Sequence, residues 1–440
     1  MYLNSDFHRD SSLFEQIQSN ALFSERVSMN STNKSNPMVT WGICAAWLVC
    51  ALLPTVNAAP ADPDNAALLY YQAFLLCPDA SSIPSKAFRI VFRGAGSVDE
   101  VREYVEDYQN PIKLAEAASK IPQCNWAIPY SQGSEVRTKL EQQIKTLSFL
   151  IGADARVLAA NGDYTAGLAR CLMLRRFAKH LADDPDNQHS NTVEANALSC
   201  MRCILDTMPP DEETLKSLKY QFAAEPKVAE PLSTQIKRGF EQNILAIRTK
   251  GRVLPWLRQE LAEKAANDKL KKEALSLTNA ELLRLIREPY AEFIDSVLDT
   301  LARDMPYEQT YVRIEILSKE LIEKAEDDPA ITLSAEYDAE TMPRRYSRHF
   351  AHKAHINAVK VAIEIYLLKS TTGRLPDALP NGLPKDPFSG KDFEYEITKD
   401  GFVLRCRGKD INASKKNYWP GKAPVSEFFW QYEFKVKSKE

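Results

Sequence analysis

The sequence predicts a mainly α-helical protein of antiparallel helical hairpins, with a small C-terminal β-hairpin subdomain. Apolar residues recur at three- and four-residue spacings over most of residues 64–370, as expected for helices with one buried face. Capping-box patterns such as Ser97 to Glu100 and Thr278 to Glu281 mark helix starts. After Gly373 the chain changes to prolines, glycines and short alternating runs, which favour turns and strands.

Composition excludes several classes of protein. The 440 residues are 44% hydrophobic and 26% charged, and 56 basic against 59 acidic side chains give a net charge of −3. These values exclude a collagen, an extended low-complexity chain and a polytopic membrane protein. Because the chain is not basic overall, we expect no nucleic-acid partner.

An uncharged N-terminal stretch indicates export. Residues 39–53 form an apolar run of 15 residues, followed by Pro54 and small residues, which is typical of a secretory signal. A membrane-spanning helix needs about 20 apolar residues, so the run is short for an anchor. We predict that residues 1–58 are an N-terminal extension and signal peptide cleaved after Ala58. The alternative is an uncleaved anchor through residues 39–58 that faces the periplasm.

The predicted compartment is the periplasm or the extracellular space, and the redox state of that compartment decides whether the cysteines can form disulfides. Six cysteines remain after residue 58, and an oxidising compartment would allow them up to three disulfides. A mature chain of about 380 residues buries a core without such bridges.

The N-terminal 37 residues carry three basic and four acidic side chains, which is unusual before a signal. A start at Met29 would leave Lys34 as the only charged side chain before the apolar run.

Residues 59–328 are predicted to form the helical domain. The helix expected over residues 135–161 carries a core stripe of Leu140, Ile144, Leu147, Leu150 and Ile151. In chain order we expect helices at residues 64–76, 97–108, 111–120, 135–161, 166–181, 192–207, 211–223, 229–247, 255–266, 280–303 and 307–325.

One predicted hairpin has a distinctive turn. Gly162-Asp163-Tyr164 separates the helices at residues 135–161 and 166–181, and the second helix stops at an Asp-Pro pair. Two helices joined by so short a turn pack antiparallel. The hairpin resembles a tetratricopeptide unit, although Gly167 stands where that repeat usually has alanine. No 34-residue period recurs elsewhere, so the resemblance implies one repeat-like hairpin and no array.

Residues 329–440 are predicted to form a second region with a long helix and a small β-subdomain. Residues 329–344 lack periodicity and read as a crossing loop, before a helix over residues 345–370. A Pro- and Gly-rich turn follows. Residues 393–397 and 402–406 predict a β-hairpin, and residues 428–436 a third strand.

Two stretches carry a family resemblance. Residues 119–186 contain SKIPQCNWAIPYSQGS and IGADARVLAANGDY, and residues 352–410 contain IEIY, GRLPDALP, PKDPFSGKDFEYE and DGFVLRCRGKD. Both resemble a group of uncharacterised, secreted, helix-rich bacterial proteins. The second also resembles the periplasmic end of type II secretion major pseudopilins. It lacks the N-terminal pilus-building segment, and its helix lies near residue 360, so the likeness implies a shared packing device.

His349, His352 and His355 are the first candidate for site chemistry. They recur every third residue on a predicted helix, which makes the outer two splay apart. Zinc sites on one helix prefer a pair four residues apart, so we predict no metal here. We expect the histidines to belong to a basic interfacial face. Its other members would be Arg344, Arg345, Arg348 and Lys353.

Two further motifs have structural and chemical readings. Cys200-Met-Arg-Cys203 is a lone CxxC motif on a predicted helix. A zinc site would need two further ligands, and thioredoxin-like redox chemistry would need a βαβ setting. The motif therefore favours a local disulfide or two partly buried thiols. Trp126 and Tyr130, close to Cys124, could bind a sugar or peptide, but such aromatics more often lock a loop onto the core.

Acidic clusters occur at predicted helix ends. Carboxylates at helix starts suit the helix dipole, and the others are expected to be solvated. The clusters are Asp183-Asp184, Asp211-Glu212-Glu213 and Glu326-Asp327-Asp328.

The preferred function is a non-enzymatic one. The sequence contains no G-x-S-x-G, H-E-x-x-H, Walker A or G-x-G-x-x-G pattern after residue 58. We therefore name no catalytic residue, metal or cofactor. We expect an exported envelope protein that acts as an interaction or assembly scaffold for another envelope protein, with membrane contact only if the N-terminal segment stays uncleaved. The alternative is a secreted helical hydrolase or carbohydrate-active enzyme whose site is assembled from scattered residues.

Overall fold

The structure is a computed structural model, and its description covers a defined part of the chain. The described residues are 64–127, 134–183, 189–209, 211–225, 231–249, 251–326, 328–334, 338–412 and 429–436, with backbone alone at 134–139 and 333–334. The predicted signal peptide or anchor at residues 1–58 lies outside them. Within them, no helix is both long enough and apolar enough to cross a membrane.

The first part of the described chain is a series of helices around one apolar core. Asn65 caps helix α1, because its side chain accepts a hydrogen bond from the backbone N–H of Ala67, so the cap is one residue later than the predicted Asp64. The helices are α1 (Ala66–Leu76), α2 (Ser85–Arg93), α3 (Arg102–Asp107), α4 (Gln109–Ser119), α5 (Ser134–Ala160), α6 (Tyr164–Ala182) and α7 (Ser190–Leu205), with 3₁₀ turns at Ala80–Ser82 and Val98–Val101.

The chain then continues as helices to residue 372 and ends in strands. The capping box predicted at Thr278 and Glu281 is present at the start of α12. The elements are α8 (Glu212–Ala224), α9 (Leu232–Thr249), α10 (Val253–Glu263), α11 (Asp268–Ser276), α12 (Asn279–Ala302), α13 (Tyr307–Ala325), α14 (Pro329–Ser334), α15 (Met342–Thr372), β1 (Glu394–Thr398), β2 (Gly401–Arg405) and β3 (Gln431–Lys435).

Helices α5, α6 and α7 pack closely against one another in the middle of the core. The stripe predicted on α5 is buried from Leu140 to Ile151. A methyl group placed on Gly167 of α6 would lie 2.7 Å from the carbonyl oxygen of Ala155 on α5. Glycine at this position therefore lets the two helices of the hairpin approach more closely than alanine would.

The C-terminal strands form a small antiparallel sheet in the order β1-β2-β3. Phe402 on β2 faces Phe434 on β3, and their rings stack with centroids 5.0 Å apart. Tyr366 of α15 donates a hydrogen bond to the carbonyl oxygen of Lys435 at 2.6 Å. The predicted mainly α class with a C-terminal β-hairpin is thus confirmed, and the third strand is present.

Three predictions about local structure are wrong. Helices α2 and α11 were not expected, and residues 329–344 contain α14 and the first residues of α15 instead of a plain crossing loop. Residues Pro63–Glu440 form one compact unit by their contacts. Most buried apolar residues from Ala66 to Phe434 share one core, and a second, smaller cluster contains Leu254, Leu257, Leu282, Ile286 and Ala330. The proposed boundary at residue 328 stays a prediction.

Candidate functional site

The three histidines of α15 point into the protein, which corrects the expectation of a basic interfacial face. Burial lowers the pKa of His349 to about 4, with smaller contributions from His352 and Lys353. Burial likewise lowers the pKa of His355 to about 3, helped by Arg202 and His352. Of the side chains expected on that face, Arg348 and Lys353 remain exposed, whereas Arg345 pairs with Asp338 at 2.9 Å. Of the three, His352 contacts Glu194, whereas His349 and His355 make ring contacts with Phe350 and Tyr432.

His352 belongs to a buried charge cluster centred on Glu194 of α7. Glu194 has no exposed surface. Its Oε1 accepts hydrogen bonds from Arg175 Nη2 at 3.0 Å and Nε at 3.2 Å, and its Oε2 lies 2.7 Å from His352 Nε2. Burial raises the pKa of Glu194, but His352 and Arg175 together outweigh burial and lower that pKa below its ordinary value. The cluster joins α6, α7 and α15.

Glu194 was not among the predicted site residues, although one feature of the sequence distinguishes it. It is the only charged residue between Ser190 and Met201, in a helix whose neighbouring positions are buried. A single carboxylate in such a run predicts a buried cationic partner, because an unpaired charge in a core is strongly unfavourable. Its partners lie 19 and 158 residues away, so the pairing itself cannot be read from local pattern.

The charge cluster also holds helix α8. The guanidinium of Arg175 lies 4.0 Å from the ring centroid of Phe222, a buried residue of α8. Leu215, Leu218 and Phe222 form the buried face of α8. This face fixes the orientation of the helix, so the opposite residues are directed to solvent, and Tyr220 is 77% exposed.

An open groove between α8 and α15 is the candidate functional site. It has a volume of about 530 Å³ and a mostly apolar lining. Lys219 of α8 pairs with Glu364 of α15 at 2.7 Å across it. The lining residues are Lys216, Lys219, Tyr220, Ala223, Glu364, Leu367, Leu368 and Thr371. An open apolar trough between helices suits a bound peptide segment better than the enclosed chemistry of a small substrate.

The CxxC motif consists of two buried thiols. Cys200 Sγ lies 3.6 Å from the carbonyl oxygen of Gly152, and burial raises the pKa of Cys203 to about 11. The neighbouring Cys171 also has a raised pKa, because of burial and its contact with Cys200. No disulfide joins any cysteines in the part of the chain that the structure describes. The structure shows both cysteines of the motif as thiols, and the choice between a local disulfide and two thiols stays a prediction.

Trp126 locks its loop onto the core. Its ring stacks on Tyr70 with centroids 5.4 Å apart, and its Nε1–H donates to the carbonyl oxygen of His180 at 2.8 Å. Cys124 is buried beside it, while Tyr130 lies outside the described residues. With its face covered and its donor satisfied, Trp126 has no surface left for a sugar or peptide.

The acidic clusters serve helix ends. At the start of α8, Asp211 accepts a hydrogen bond from the backbone N–H of Glu213. At the start of α14, Asp328 accepts a hydrogen bond of 2.8 Å from the backbone N–H of Ala330. Asp183 forms an ion pair with Lys179. Asp184 and Asp327 lie outside the described residues.

Two buried carboxylates in the C-terminal region were not predicted as special. Asp386 accepts hydrogen bonds from Ser389 Oγ at 2.5 Å and from the backbone N–H of Phe388 and Gly408, both at 2.9 Å. Asp410 accepts from other elements, namely Ser347 at 2.7 Å, Trp430 at 3.0 Å and Tyr307 at 3.2 Å. Each carboxylate is saturated by protein donors, so both organise the tail of the chain. The Asp-Pro-Phe-Ser-Gly segment at residues 386–390 owes its shape to Asp386.

The described residues contain no group of three or more histidine, cysteine, aspartate or glutamate side chains arranged to hold a metal ion. Comparisons with protein-family models, with curated proteins and with solved structures find no match to this chain.

Proposed function

We propose that the protein is an exported envelope scaffold that binds an amphipathic helix of another envelope protein in the α8–α15 groove. The groove itself carries this proposal. It is open, mostly apolar and lined by residues of two neighbouring helices, a setting compatible with helix-in-groove recognition. Tyr220 lines the groove and is 77% exposed, and tyrosines are frequent anchors in protein interfaces.

The charges along the groove define the partner further. Lys216 and Lys219 lie one turn apart on α8 and are more than half exposed. Their present partners, Glu212 and Glu364, leave ammonium protons directed to solvent, since each ammonium has three. We therefore expect the bound helix to carry leucine-like side chains on one face and acidic residues beside them.

Site-specific crosslinking in the native cells tests this proposal. A photoreactive amino acid replaces Tyr220, and a matched one replaces Val312, an exposed apolar residue of α13. We expect one dominant adduct from position 220 and none of that mass from position 312. The double variant Lys216→Glu/Lys219→Glu should reduce the 220 adduct roughly tenfold, because it reverses two charges that face the acidic partner.

Two results would contradict the proposal. An adduct that persists unchanged in the charge-reversed variant would exclude recognition through the lysines. The same adduct from positions 220 and 312 would indicate contact without a specific groove. Fractionation of the same cells tests export, since a scaffold of the envelope must be recovered outside the cytoplasm.

A further inference from the structure

The α10–α11 hairpin carries large apolar side chains on the outside of the molecule. Helices α10 and α11 pack against each other, and α10 also packs on α12. Leu254 and Leu257 of α10 are buried in the second apolar cluster, whereas Trp256 is 45% exposed. On α11, which has no buried residue, Leu270 and Leu275 are 45% and 46% exposed. The described part of the chain thus leaves these apolar groups partly uncovered.

Basic side chains share the faces of these apolar groups. Leu275 lies four residues after Lys271 and three after Lys272, which places the three side chains on one side of α11. Trp256 likewise lies four residues after Arg252, which directly precedes α10. Arg252, Lys271 and Lys272 are exposed, and none of them forms an ion pair with a residue that the structure describes. Each exposed apolar group is therefore flanked by a cation that is available to an outside partner.

The segment around α11 is basic, although the protein as a whole is not. Residues 264–272 contain four lysines and one aspartate, in a chain with a net charge of −3. Lysine is depleted at the cores of protein interfaces, whereas helices that lie on bilayers combine lysine with tryptophan and leucine. The charge and the residue types of the hairpin therefore match an anionic lipid surface better than they match a protein.

We propose that the α10–α11 hairpin is a peripheral docking site for an anionic lipid bilayer. Trp256 and Leu275 enter the headgroup region, while the neighbouring Arg252, Lys271 and Lys272 stay at the level of the lipid phosphates. Apolar burial and charge attraction act together, so the contact is reversible and weakens as salt screens the charges. It requires neither an anchor through residues 39–58 nor the α8–α15 groove.

Vesicle sedimentation tests the inference on the purified full chain. The protein is mixed with vesicles of phosphatidylcholine, with or without phosphatidylglycerol, and the bound fraction is measured against lipid concentration. We expect at least roughly tenfold tighter binding to the vesicles that contain phosphatidylglycerol. The double variant Lys271→Gln/Lys272→Gln should weaken this binding roughly thirtyfold, because each lysine contributes to the attraction. Leu275→Asn should weaken it roughly tenfold, because asparagine gains little from leaving water.

Matched variants elsewhere separate a specific face from general adsorption. Lys113→Gln/Lys399→Gln removes the same charge from exposed positions on α4 and in the β1–β2 turn. Val312→Asn makes a similar change on α13 to that of Leu275→Asn. Both control variants should leave vesicle binding unchanged. Because α11 contributes no buried residue, its variants should keep the parent fold, which the urea-unfolding midpoint checks.

Four outcomes would overturn the inference. Equal binding to both kinds of vesicle would exclude recognition of anionic headgroups. Parent-like binding by the α11 variants would place the contact elsewhere on the protein. An equal loss in the control variants would show adsorption without a specific face.

Absence of binding to either vesicle would exclude a bilayer as the occupant. A protein adduct from a photoreactive amino acid at position 275 in the native cells would then assign the hairpin to an acidic protein partner. Crosslinking at Tyr220 does not depend on any of these outcomes, so failure here is distinguishable from failure of the groove.

Discussion

At the residue scale, Glu194 is the group on which the arrangement of α6, α7 and α15 depends. A buried carboxylate is unfavourable by itself, and it becomes acceptable only when cations and hydrogen-bond donors surround it. Arg175 supplies the cation and two donors, and His352 Nε2 lies within hydrogen-bond distance of the same carboxylate. Arg175 in turn packs on Phe222, so one carboxylate also influences where α8 lies.

Replacing Glu194 by glutamine should destabilise the protein strongly. The change leaves Arg175 as a buried cation without a counter-charge, and loss of one member of a buried ion pair typically costs about 3–5 kcal/mol. The measurement is the free energy of unfolding from urea denaturation. Glu141→Gln is the matched control, because Glu141 pairs with His189 at a partly exposed site, where the expected cost is below about 1 kcal/mol. Equal costs for the two variants would contradict the role given to Glu194.

At the scale of elements, the α5–α6 hairpin shows a conflict between helix propensity and packing. Alanine is a better helix former than glycine by about 1 kcal/mol. At Gly167, however, an added methyl group would lie 2.7 Å from the backbone oxygen of Ala155, and backbone cannot move aside as a flexible side chain can. The close approach of the two helices thus opposes the local preference.

We expect Gly167→Ala to destabilise the protein by about 1–3 kcal/mol, because overpacking outweighs the gain in helix propensity. The thermal unfolding midpoint of the variant measures the balance. Gly251→Ala serves as the control, since a methyl group at Gly251 meets no atom within 4 Å. A Gly167→Ala protein that melts at or above the parent temperature would show that α5 and α6 can separate at little cost.

Elements with strong local signals were predictable from the sequence, and those made by distant contacts were not. Thr278 and Glu281 cap α12 as expected, and the apolar stripe of α5 is buried as expected. Helix α11 is nine residues long and none of them is buried, so it gives the core no long apolar stripe of the kind that marks α5. The groove was not predictable, because Lys219 and Glu364 are 145 residues apart and only the folded chain brings them together.

At the scale of the whole molecule, the buried histidines link stability to pH. His349 and His355 have pKa values lowered by burial to about 4 and about 3, whereas an exposed histidine titrates near 6.5. The groups around them are His352 and Lys353 on α15, Glu194 and Arg202 on α7, and Tyr432 on β3, which stacks on His355. Between about pH 6.5 and 4 the unfolded chain therefore binds more protons than the folded one.

Acidification from pH 6.5 to pH 5 should consequently lower the free energy of unfolding by roughly 2–4 kcal/mol, since each buried histidine contributes up to about 1.4 kcal/mol per pH unit. Urea denaturation at a series of pH values measures the slope. The double variant His349→Gln/His355→Gln should flatten it, because glutamine takes up no proton in either state. If the double variant retains the full dependence of unfolding free energy on pH, other groups cause the acid sensitivity. Protons would then reach the α15 histidines without unfolding the core around them.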